Sequence, residues 1–184
     1  TISDAFEQST SGQSLVNMME LDLLVGSGGV LSHAPRREQS AKMLIDAFMP
    51  EGITEIAVDS IFMMPQLGVL ANIDNPEFGA EARKAAMEVF QKDCLIRLGT
   101  CIAPVGKAKS GEVVMEVEIK LGNGSIINKS IVTDELIRIE LPYEPVKIKI
   151  LPSKKMNIGS GLGQEINKTI YGGEVGIILD GRNR

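Results

Sequence analysis

The sequence predicts an α+β protein in which helices and strands alternate up to residue 102 and strands alone follow, a division of 1–102 and 103–184. Three observations carry that prediction. Before residue 102, short apolar runs alternate with stretches of helical spacing. From Glu112 to Leu121 the period drops to two: Val113, Met115, Val117 and Ile119 stand against Glu112, Glu116, Glu118 and Lys120, with Val114 the exception. Gly122-Asn123-Gly124 then supplies a hairpin turn into Ser125–Val132.

Taken in order, residues 1–20 are a polar lead-in whose Leu15, Val16, Met18 and Met19 suit the end of a helix. Leu21–Val25 is an apolar run of strand length that meets three glycines, Gly26, Gly28 and Gly29. Pro35 is tolerated in a first helical turn, and residues 36–48 continue with helical spacing. Pro50-Glu51-Gly52 marks a turn, Ile53–Val58 a second strand ending at Asp59, and Pro65–Ala71 a short helix before the loop Asn72–Pro76. Glu77–Arg97 is predicted as one long helix with the stripe Phe78, Ala82, Ala85, Ala86, Val89, Phe90 and Leu95, stopped by Gly99. Further strands are expected at Leu136–Leu141, Val146–Leu151, Glu165–Ile170 and Glu174–Leu179. That many closely spaced strands predict a small all-β barrel or sandwich.

Composition excludes several functions. The net charge is −5 and no stretch interleaves basic with aromatic residues, so nucleic acid is set aside. No apolar run approaches the roughly 20 residues that cross a bilayer, so no membrane role is expected and a cytoplasmic location is. Cys94 and Cys101 stand seven positions apart with one histidine in the whole chain and no metal-ligand cluster. On one helix they would lie about 10 Å apart, too far to bridge, and they read as reduced, buried thiols.

The strongest candidate site is Gly26-Ser27-Gly28-Gly29. Its plainest reading is a tight turn that closes a strand onto a helix. The same turn suits an anion or nucleotide, because helix-terminal N–H groups lack partners and glycine has no Cβ to hold a flat adenine and ribose away. The pattern is neither a dinucleotide fingerprint, which would need glycine where Leu31 stands, nor a P-loop, since no Gly-Lys-Ser/Thr follows. Arg36 and Arg37 suit contact with a purine or phosphate, or a solvated helix turn. His33, without a serine or aspartate partner, reads as a cap or packing residue. Asp59 reads as a cap for the segment after its strand, since no second carboxylate joins it. Met156–Gly163 is a glycine-rich loop of the β region with a lesser claim to bind a partner, and the nine methionines, among them Met18, Met19, Met63 and Met64, read as core filling. No catalytic or metal-binding residue is assigned.

The glycine turn resembles the adenosine motif of the acetate kinase, sugar kinase and actin ATPase superfamily. The resemblance extends through Val25–Arg37, Ile56-Ala-Val-Asp59 and Met64-Pro-Gln-Leu-Gly-Val-Leu-Ala71 to the MutL accessory proteins of coenzyme B12-dependent glutamate mutase, which are unrelated to the mismatch-repair protein of that name. Tyr171-Gly-Gly-Glu-Val-Gly-Ile-Ile-Leu-Asp-Gly-Arg182 is similar to the C-terminal end of that family. The resemblance implies that residues 1–102 are a C-terminal piece of an actin-like (ribonuclease H-like) ATPase lobe and that the chain is part of a longer protein, since neither phosphate motif of the superfamily is present. It implies ATP and Mg2+ as ligands completed by the missing half, Gly26, Ser27, Gly28, Gly29, Arg36 and Arg37 as the adenosine-side residues, and subunits of a B12-dependent mutase as partners. Cobalamin would be met only through that enzyme. The implied function is a chaperone-like reactivating ATPase, with no catalysis by this piece alone. A small-molecule kinase of the same superfamily, or a scaffold acting through its β region, are the alternatives.

Overall fold

The structure is a computed structural model and describes residues 16–182. The lead-in up to residue 15 lies outside the described residues, and the part that follows closes with a 3-10 turn at Met18–Glu20 rather than an α-helix. Strand β1 (Leu23–Gly26) runs parallel to β2 (Gly52–Asp59), with Leu23 opposite Glu55 and Gly26 opposite Val58. Between them lie one helical turn, α1 (Gly29–Ser32), and helix α2 (Arg37–Phe48). Pro35 precedes α2 instead of sitting in its first turn, because Arg36 is extended and Gln39 caps its N–H through Oε1 at 3.2 Å. Helices α3 (Met64–Ala71) and α4 (Gly79–Val89) follow.

The long helix expected over Glu77–Arg97 ends early. A π turn at Phe90–Cys94 breaks it, and β3 (Leu95–Ala103) begins at once. Tertiary pairing overrides local spacing here: β3 lies antiparallel to β2 along its length and parallel to β11 (Gly176–Asp180), and from Leu98 onward every residue of it is buried. Gly99 is not a helix stop but the point where the two strands crowd together. At φ 153°, a Cβ on it would fall 1.9 Å from the Gly176 carbonyl oxygen. Cys94 and Cys101 accordingly share no helix, and both are buried and outside any disulfide.

After the short β4 (Val105–Gly106), the strands β5 (Val113–Lys120), β6 (Ile126–Val132), β7 (Leu136–Ile139), β8 (Pro145–Pro152), β9 (Met156–Asn157) and β10 (Ile166–Tyr171) lead to β11. They form no closed barrel. One sheet has the order β1-β2-β3-β11-β7, a second β10-β8-β5-β6, and β4 pairs with β9 alone. Two strands expected in the all-β region, β7 and β11, thus finish the sheet begun by the first hundred residues. Val114 breaks the alternation of β5 because a bulge lies between Val113 and Met115, which buries Val114 and Met115 together and leaves Val113 outside.

The five-stranded sheet is the middle of three layers. On one face Ala41, Leu44 and Ile45 of α2 pack on Ile56, Val58, Leu98, Cys101 and Ile178. On the other, Ile102, Ile177 and Leu179 meet Val117, Ile119, Ile148 and Ile150 of the second sheet. A sheet covered on both faces explains why its central strands read as continuous apolar runs.

Candidate functional site

The glycine turn sits at the carboxyl ends of the parallel strands β1 and β2, where open α/β sheets leave a crevice for ligands. Gly26 ends β1 packed closely, since a Cβ there would meet the side chains of Leu31 and Leu44 within 3 Å. Gly28 takes φ 111°, a conformation glycine alone adopts easily, and starts α1. Space above Gly28 and Gly29 is open: nothing lies within 4 Å of a Cβ built on either. Beside them runs a shallow, mainly apolar groove of about 580 Å³ lined by Val30, His33, Pro35, Lys42, Met43 and Asp46.

Asp59 holds the turn in place. Its fully buried carboxylate accepts Met63 N–H at 3.2 Å and Met64 N–H at 2.9 Å, which caps α3, and Ser27 Oγ–H at 3.3 Å. Its backbone carbonyl accepts Ser32 Oγ–H at 2.6 Å. The capping role is as the sequence predicts. The bonds to Ser27 and Ser32 are not legible there, because they join positions 32 and 27 residues apart.

The other candidates separate. His33 is exposed at the end of α1, its Nδ1 3.2 Å from the Gly29 carbonyl, as a cap would be. Arg37 Nη1 donates to the Ser32 carbonyl at 2.9 Å, while its Nε lies 3.3 Å from Glu174. Arg36 is exposed at the start of α2, and its guanidinium forms no ion pair or hydrogen bond among the described residues. The loop after Met156 is tied to itself, with Gly159 and Gly161 N–H both donating to Asn157 Oδ1. No three His, Cys, Asp or Glu side chains converge on a metal position among the described residues.

Helix α3 stands next to this turn and buries none of its residues. Ile61, Phe62, Met64, Val69 and Leu70 are all exposed, Val69 by 73%, and Phe62 holds a left-handed φ of 59°. Isolated exposed apolar residues are ordinary, but these five fall within ten positions of one another on and just before α3.

Fold and turn define an α+β protein in which a strand, a glycine turn and a helix stand beside an open, mainly apolar groove. Residues 6–94 match the model of the MutL protein family. The matched residues include the glycine turn, Arg36, Arg37, Asp59 and α3; the strands from β3 to β11 lie beyond them. Comparison with curated proteins gives no match, and comparison with solved structures gives none either. No helix among the described residues is long and apolar enough to cross a membrane.

Proposed function

We propose that this chain forms the adenosine-side wall of an ATP site in a cytoplasmic accessory protein that reactivates a coenzyme B12-dependent glutamate mutase. The observation that carries the reading is the open glycine turn, with Gly28 and Gly29 bare beside an apolar groove, inside the stretch that matches the MutL family. Val30, Pro35 and Met43 offer the apolar lining a purine needs, and the exposed guanidinium of Arg36 suits its face or a phosphate.

On this reading the residues present serve the adenosine side of ATP. No carboxylate cluster is available for Mg2+ among the described residues, so the phosphates and their ion would be held by a second lobe. The exposed apolar residues on and just before α3 support such a lobe, because Asp59 bonds both the start of α3 and Ser27 of the glycine turn. When bound, ATP would supply the difference in contacts that separates an open from a closed arrangement. Ser27 and Asp59 keep the turn and the start of α3 as one unit, so that a closing lobe meets both together.

The test is ATP turnover by the full-length gene product, alone and with a cobalamin-inactivated mutase. Stimulation by the inactivated mutase is expected. Turnover that responds instead to a small carboxylic acid or sugar would replace this reading with a kinase, and no turnover under any condition would leave a scaffold.

A further inference from the structure

The outward face of the four-stranded sheet carries a charge arrangement that the fold does not need. Lys120 on β5 and Lys147 on β8 are register partners, directly opposite one another. Like charges in that relation repel and destabilise a sheet. The next row is neutralised: Lys149, opposite Glu118, also holds Glu165 at 3.0 Å, and its ammonium is pushed above the usual lysine range by that bond. Lys168 reaches Asp22 at 4.0 Å. Neither Lys120 nor Lys147 has a carboxylate in ion-pair range among the described residues.

Edge protection explains some lysines of this sheet but not these. Lys129 lies on β6 and Lys168 on β10, the two edge strands, where lysine discourages pairing with other chains. Lys120 and Lys147 lie on the central strands. They floor a hollow of about 320 Å³ that also has Thr169 and Asn167 on its wall, groups able to donate hydrogen bonds to oxygen.

We propose that this face docks an acidic, extended segment of a partner protein, with carboxylates set between Lys120 and Lys147. Charge complementarity names the occupant. Outward positions repeat every second residue along β8, about 6.6 Å apart, which is the spacing of same-side carboxylates on an extended chain. A nucleic acid fits worse: the floor of the hollow has no aromatic ring to stack a base, and Glu118 stands in its wall.

The experiment titrates the intact chain into a fluorescein-labelled peptide of alternating glutamate and serine and reads anisotropy at low and physiological salt. The double variant Lys120→Gln/Lys147→Gln should bind about tenfold more weakly, while the charge-matched Lys154→Gln/Lys155→Gln should bind as the parent does. Thermal unfolding keeps the proposal falsifiable. Relief of repulsion should leave the Tm of Lys120→Gln/Lys147→Gln unchanged or higher, and a lower Tm would show that the lysines serve the fold. Equal loss in the two double variants would overturn the proposal. So would displacement of the peptide by millimolar inorganic phosphate or by a short DNA duplex, since the face would then read phosphate.

Discussion

Glycines of this chain do two different jobs, and substitutions separate them. At Gly99 a Cβ would strike the Gly176 carbonyl, so Gly99→Ala must move one strand of the central pair. It should cost about 3 kcal/mol or more, read as a lower urea midpoint. Gly29 has open space and an ordinary φ, so Gly29→Val should change stability by less than about 1 kcal/mol while placing a branched side chain where adenosine would lie. Asp59 is a third kind of residue. Asp59→Ala removes the cap of α3 and the partner of Ser27 together and should cost about 2–3 kcal/mol by denaturant unfolding. The sequence shows the glycines and the cap because both obey local rules. It does not show that Gly99 meets Gly176, since that contact spans β3 and β11 and depends on the finished sheet.

Among the elements, α2 is fixed to the C-terminal strand by charge as well as by its apolar face. Asp46 accepts from Lys42 one turn back and from Arg182 Nη1 at 2.8 Å, and Arg182 in turn holds the buried Asp180 at 2.8 Å. The bonds from Lys42 and Arg182 pull the Asp46 carboxyl below its ordinary range, against the opposing effect of partial burial. A carboxylate with a lowered folded pKa stabilises above the unfolded value, about pH 4, and that contribution fades as pH falls through the folded value. Thermal unfolding followed from pH 6 to pH 2.5 should therefore decline more steeply in the parent than in Asp46→Asn. The body of α2 was legible from the helical spacing of residues 36–48, while the Gln39 cap that places its start after Pro35 was not read there. The end of α4 was not, because the apolar stripe runs on through Phe90 and Leu95 although a π turn intervenes and β3 takes up the rest.

For the whole molecule, the alternation of β5 and the hairpin that follows it made part of the second sheet readable, but sheet membership was not. Hydrophobic period says which residues of a strand face a core and leaves open which sheet receives the strand, so β7 and β11 read as parts of a separate barrel or sandwich when they complete the sheet of β1, β2 and β3. A chain cut after Ala103 would lack β11 and β7 and expose Ile102, Leu98 and Cys101 along an unpaired edge. Residues 16–103 alone should show no cooperative unfolding by circular dichroism, whereas the intact chain should unfold in one transition, because the middle sheet is shared by both cores.

The central claim is that the turn at Gly26–Gly29 carries the adenosine of ATP. Its most direct test is equilibrium binding of ATP to the full-length gene product and to its Gly29→Val variant, with thermal unfolding of each as the check on folding. The variant should melt near the parent's temperature and bind ATP at least tenfold more weakly, an effect on the order of 1.4 kcal/mol. Undiminished binding by a folded Gly29→Val protein would contradict it and leave the turn a feature of the fold alone.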